Sequence, residues 1–488
     1  MRRPDLGSIL PAFLTIVGAP LALLIVYGRP YLNYDASYSL VWANDIAHGW
    51  TPDYNGYIAP TPHPLQTLVS SLALPLGGLT EDVLAWIVMI AFGLLIWIVY
   101  LLGRELFNTP VGVLAALVIL TRPAFAKNAE AAYQDIPFVL FVCWALLLEI
   151  RASRRGWPVL LLLTLAGLLR PEAWVLAGLY WLYLFPAREW RERVPLALLA
   201  AAGPLLWAIS DWSITGDLLH SFHGTKDLAA QLDRPRSTAA APFWTLKFLA
   251  WTLREPLMLG VPIGTVFVLM FARRQAKILL GLAGLMTLLF IASTVGGLPL
   301  IARYVLTPTV LLAVIYAAGV FGWRDLPEQS RRRETWKWLG ALSLALSLVF
   351  IPWHIGLIRD QARKVDNYGS IQRDLRDVAH SPTVRAYYRR CGRFSTNNHR
   401  PVPAFRYELG GPPGSVQTLV DPAHRLAETI LYPRDRSIAL KYYNQVPSLT
   451  PPAGYTTVYT SWAWRLYATP RCRAAVAAGS TLAAIDRN

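Results

Sequence analysis

Twenty consecutive residues, Ser8 to Tyr27, carry no charge and are almost wholly apolar. A helix of about 20 such residues crosses the roughly 30 Å hydrocarbon layer of a bilayer. Further apolar runs follow at Asp82–Leu102, Pro110–Leu120 with its flanks, Ile136–Ile150, Trp157–Phe185, Pro195–Ile209, Pro256–Phe271, Ile278–Ala292, Tyr304–Phe321 and Lys337–Ile355. Only 16% of the 488 residues are charged and 54% are hydrophobic, whereas soluble domains are about 25% charged. The chain is therefore a multi-pass membrane protein. A cleavable leader is the alternative for the first run, but the run is long for one and "VYGRP" lacks a small-residue cleavage site.

Trp157–Phe185 is too long for one ordinary span and is interrupted by "RPE", Arg170 to Glu172. Proline disfavours a helical residue before it and breaks the hydrogen-bond ladder. Read as two short spans with a turn at "RPE", this segment returns to the side it left. Lys and Arg favour cytoplasmic loops, and this arrangement puts "RASRRG", "PAREWRERV", "FARRQAK" and "RDLPEQSRRRETWK" on the same side as Arg2 and Arg3. Eleven spans result, with the N-terminus inside and the last roughly 130 residues outside. The net charge of +16 then belongs to loops facing a negative inner leaflet and does not imply a nucleic-acid partner. The many Arg, Ala and Leu residues point to a GC-rich genome, and a bacterial plasma membrane is the expected location.

The inner loops are short and basic, whereas the outer ones are long and chemically diverse. In "YLNYDASYSLVWANDIAHGW", Asp35, Tyr38, Trp42 and Asp45 recur at three- and four-residue spacing, which predicts an amphipathic helix lying along the interface. Asp35 is the candidate functional acid, with a helix cap or a solvated loop acid as the alternative. "TPDYNGY" and "APTPHPL" are turn sequences, and Leu65–Leu76 is too short to cross, so an interfacial or re-entrant helix is expected there. Asp135 opens the fourth span, where capping and function are both compatible with its position. Lys127 and Glu130 read as interfacial charges. Arg170 and Glu172 suit an ion pair that fixes their turn, or an arginine turned toward an anion. Arg303 lies at the end of the tenth span, and its planar fork suits phosphate oxygens, although such side chains also snorkel. His63, His220 and His223 are weaker candidates. No HxxxH or HExxH pattern occurs, so a divalent metal is left open and no ligand set is named.

From about residue 357 the composition turns polar and Arg-rich. "SIQRDLRDVAHSPTVRAYYRRCG" predicts one or two helices, and "RFSTNNH", "SVQTLVD", "YTTVYT" and "WRLYAT" predict short strands of a small α/β domain over 357–488. Cys391 and Cys472 both fall in this outer region, where a disulfide is permitted, and one is predicted. Cys143 lies inside an apolar run and reads as a small buried hydrophobe. Residues 1–356 form the membrane domain, with a first outer loop at 28–64.

An N-terminal span, then "NYDASYSLVWANDIAHG", then "HPL" leading a short helix, resembles the membrane-embedded GT-C glycosyltransferases, among them protein O-mannosyltransferases and lipid A aminoarabinose transferases. "AAYQDIPFVLFVCWALLLE" and "GLLRPEAWVLAGLYWL" look like the fourth to sixth spans of that superfamily. The likeness covers residues 8 to 210 and extends to the later spans by architecture. It implies a polyprenyl-phosphate sugar donor, an acceptor glycan, lipid or protein, and inverting transfer on the outer face. In such families the first-loop acid is the catalytic base or a metal partner, and the resemblance puts that role on Asp35. Many members carry an acidic pair there, whereas Ala36 follows Asp35 in this chain, which leaves Asp135 from the next outer loop as the second acid. Asp135, His63 and Glu172 are the supporting or acceptor-side candidates, and Arg303, Arg170 and Lys127 the cations for the donor phosphate. The rival reading is a transporter or flippase without covalent chemistry, which calls for broken helices at mid-membrane and internal repeats.

Overall fold

The computed structural model describes residues 6–479, so Arg2 and Arg3 lie outside the described residues. The chain divides into two compact units. One holds the residues up to 30, 63–66 and 83–362; the other holds 31–62, 67–82 and the residues from 363 onward. The loop after the first span thus clusters with C-terminal residues more than three hundred positions away.

In the first unit every expected apolar run lies in a helix: Leu6–Tyr27, Thr80–Leu106, Thr109–Leu120, Asp135–Arg151, Trp157–Gly167, Glu172–Leu184, Trp190–Thr215, Leu257–Phe271, Arg273–Ser293, Leu306–Phe321 and Arg331–Val349. The break at "RPE" is real, with residues 168–171 forming the turn. Among the described residues, five helices are long and apolar enough to cross a bilayer, or up to eight if each of three bent pairs counts as one span. Several of the eleven runs are shorter than a full crossing, such as the 11-residue helix Trp157–Gly167. The helices Pro123–Glu130 and His220–Gln231 were not anticipated, and neither was Ala241–Leu253. It meets Leu257–Phe271 at 102°. Leu306–Phe321 is buried along almost its whole length and is the central helix of this unit. Gly264 and Gly319 let it meet Leu257–Phe271 backbone to backbone: a Cβ on Gly319 would lie 2.6 Å from the Cα of Gly264. Small residues at such crossings are how helices approach closely in lipid. Many Leu, Ile, Val, Phe and Trp side chains remain exposed on the long helices, as expected of lipid-facing surfaces.

In the second unit a five-stranded sheet runs in the order β2-β1-β3-β5-β4. Its strands are β1 (Phe394–Thr396), β2 (Val416–Thr418), β3 (Thr429–Pro433), β4 (Thr456–Thr460) and β5 (Trp464–Ala468). β1 is parallel to both β2 and β3, and β5 is antiparallel to β3 and β4. The four expected strands are present, and β3 is a fifth. The long helix Ile351–His380 and the helix Pro382–Cys391 account for the predicted helical stretch. Ile371, Leu375 and Val378 pack with Phe394, Phe405, Leu431, Tyr442 and Trp464 in one core. The Cys391–Cys472 disulfide is formed, and Cys143 is buried with a free thiol.

The loop helix forms as Tyr34–Ala47 but does not lie open on an interface. Residues 36–43 and Asp45 are all buried. Its aromatic side chains pack inward instead, Tyr38 tilted against Trp42 and Trp42 edge-on to Tyr54, with ring centres 5.2 and 4.7 Å apart.

Candidate active site

Within the first unit, Pro171 ends the helix Trp157–Gly167 and leaves Arg170 in the turn, buried. Its guanidinium bonds both Asp135 and Glu172, and it lies 3.7 Å over the Tyr304 ring. Asp135 opens the helix Asp135–Arg151 and is itself buried. Its second oxygen lies 3.4 Å from Nε of Arg303, whose side chain keeps 18% of its surface exposed. The cluster therefore holds two cations and two carboxylates. Arg170 is enclosed by its acids, whereas Arg303 faces Asp135 through Nε and lies 4.7 Å over the Tyr133 ring. Fixed, largely desolvated charges of this kind interact far more strongly than charges in water.

Gln134, next to Asp135, donates to Nε2 of the buried His63 at 2.8 Å. His63 stands edge-on to Trp207, whose indole donates to Ser221 Oγ at 2.8 Å. Ser221 Oγ in turn donates to Asp211 at 2.9 Å. Lys127 is half-buried on the helix Pro123–Glu130. Glu130, expected at the interface, is fully buried instead, because it ends a helix whose Ala124, Phe125, Ala126 and Ala129 are also buried. His223 is an exposed partner of Asp217 at 2.7 Å and lies on the helix His220–Gln231, which His220 opens. Among the described residues, no group of three or more His, Cys, Asp or Glu side chains is arranged to hold a metal ion.

Asp35 belongs to the second unit. The N-cap of its helix is Asn33, whose side-chain oxygen accepts from the amides of Asp35 and Ala36 at 2.7 and 3.2 Å. Asp35 is thus half-buried in the first turn, where the helix dipole favours a negative charge, and it is not the cap. Tyr34 Oη donates to Ile58 O at 3.0 Å. Burial pushes the Tyr38 phenol up to about 12. Burial also raises Asp53 above the ordinary carboxylate range, although Arg406 opposes the shift. Asp45, three turns along from Asp35, is completely buried, and both of its oxygens accept from Arg406. Sequence reasoning missed Gln134, Tyr304 and Arg406. Gln134 adjoins a singled-out acid and was within reach, whereas Arg406 had no local signal.

Residues 60–212 match the family model described as dolichyl-phosphate-mannose-protein mannosyltransferase. No curated sequence matches the chain significantly. Among solved structures, the crystal structure of ArnT from Cupriavidus metallidurans bound to undecaprenyl phosphate superposes with a TM-score of 0.57 at 13% identity. The match covers 94% of this chain and 98% of that one. The fold is GT-C. The apo state of the same protein gives 0.56 at 13% identity, over 95% and 98% of the two chains. The Archaeoglobus fulgidus oligosaccharyltransferase gives 0.48 at 14% identity, over 86% and 65%. The chain is thus similar to GT-C glycosyltransferases both in the family match and in its fold.

Proposed function

We propose that this chain is an inverting glycosyltransferase that moves a sugar from a polyprenyl-phosphate donor to a hydroxyl-bearing acceptor. Transfer takes place at the outer face of a bacterial plasma membrane, in a chain with eleven spans and its N-terminus inside. The observation that carries this reading is the shared fold, end to end, with a protein crystallised on undecaprenyl phosphate. Asp35 is the base. As the acceptor oxygen bonds to the anomeric carbon, Asp35 takes its proton, and the bond from that carbon to the phosphate oxygen breaks on the opposite face. The lipid phosphate leaves with the electron pair, and its growing charge needs fixed cations. Arg303 and Lys127 supply them. Arg170, enclosed by Asp135 and Glu172, contributes by holding that cluster rigid, and His63 with Gln134 braces it on the acceptor side.

The test is transfer of radiolabelled sugar from polyprenyl-phosphate donors by purified wild type and Asp35→Asn, with and without chelator. Loss of turnover by about a thousandfold or more in the mutant, with donor binding intact, is expected if it is the base. Retained turnover in Asp35→Asn removes that role, and loss with chelator in the wild type shows a metal requirement.

A further inference from the structure

The helix carrying Asp35 is held along its length by residues that lie more than three hundred positions later in the chain. Before the helix, Leu32 O accepts from the buried Gln372 at 2.9 Å, and the Tyr31 ring lies 5.1 Å from Tyr368. Beside its first turn, Tyr34 packs edge-on against His399 at 5.4 Å. At its far end, Asp45 and Arg406 form an ion pair with no exposed carboxylate surface and almost no exposed guanidinium surface. The Arg406 Nε also reaches Gly411 O at 3.4 Å. Asp35 and Asp45 are ten positions apart, about 15 Å along a helix, so Arg406 does not touch the base.

Burying two charges is expensive, and an apolar pair of equal volume is often as stable or more so. Here the burial cost still leaves Asp45 above the ordinary carboxylate range despite its cation. A buried pair of this kind is poorly explained by stability alone. What it fixes is the axial position of one helix against another, Tyr34–Ala47 against Val402–Leu409.

We propose that Arg406 and Asp45 are positioning residues that set where the Asp35 carboxylate stands, and that the C-terminal region serves catalysis as the mount for this helix. This rests on the reading of Asp35 as base. A displacement of about 1 Å can cost about a hundredfold in rate, so a mount of this kind acts on kcat.

The test uses full-length protein in detergent and normalises rates to folded enzyme. Arg406→Gln should lower kcat about 10- to 100-fold while the donor KM stays within about twofold. Arg406→Lys, which keeps the cation, should recover most of the loss. In an Asp35→Glu background, whose base is already displaced, Arg406→Gln should cost little more, since residues acting through one group are non-additive. If Arg406→Gln fails to fold, Asp45→Asn/Arg406→Gln removes both charges and carries the same expectation. Unchanged kcat in the folded variants, or full additivity with Asp35→Glu, overturns the positioning role. Turnover surviving in Asp35→Asn overturns the base instead, so the two failures are distinguishable.

Discussion

Arg170 and Arg303 are the same residue type in one cluster, yet their surroundings separate their work. Replacing Arg170 by Gln takes the cation from half-buried Glu172 and one of two cations from buried Asp135, and breaking such a pair costs about 3–5 kcal/mol. The expected result is a lower thermal midpoint for the detergent-solubilised protein; an unchanged midpoint would mean that the clamp is dispensable. Arg303→Ala should leave the midpoint near wild type and weaken binding of polyprenyl phosphate about tenfold, the loss of one charge-assisted contact. Equal affinity would return Arg303 to a purely structural part. A third residue reports on pH. Burial lowers His424 below its ordinary 6.5, with Asp421 opposing, and its Nε2 is bonded to Ser395 Oγ at 2.8 Å. The unfolded chain takes this proton first, so the stability is present above the unfolded value and is lost as pH falls through the folded one. The thermal midpoint should therefore drop on going from about pH 7 to 5, and less so in His424→Gln; parallel curves would discard His424 as the cause. The Arg170–Glu172 pair was legible because a single residue, Pro171, separates the partners. Asp135 joins it from 35 positions away, a distance at which sequence spacing carries no information.

At the scale of elements, apolar length reported well on helices and poorly on short pieces. The eleven runs announced themselves through the absence of charge. Ala241–Leu253 did not, since its 13 residues include Lys247 and fall short of a span. β3 was missed for a related reason: "TILYP" is five residues long and ends in proline, which argues against a central strand. Yet it pairs with both β1 and β5. Contact between elements was equally hidden, because glycine in an apolar run looks like filler. Gly264→Val would drive a side chain into the backbone carbonyl of Ile315, and overpacking of this kind costs about 1–3 kcal/mol. Its thermal midpoint should fall, while Gly178→Val, with no atom within 4 Å of the new Cβ, should match wild type. If both behave alike, close helix approach at Gly264 is not a source of stability.

At the scale of the whole chain, one covalent link and one ion pair join distant parts of the sequence, both within the second unit. The disulfide spans 81 residues, and all five strands lie between its ends. A cross-link closing a loop of this size contributes typically about 2–4 kcal/mol. Denatured, unreduced protein should expose one thiol to labelling, that of Cys143, and reduced protein all three; three labels without reduction would refute the link. The pairing of Asp45 with Arg406 has a consequence in time. The partners are 361 residues apart, and a ribosome adding about 5–20 residues per second needs roughly 20–70 s to make that stretch. For that interval the loop helix exists without the cation it will be buried against, so a nascent or truncated chain carries the proposed base but not its mount. Whatever depends on that mount then waits until Arg406 has been made.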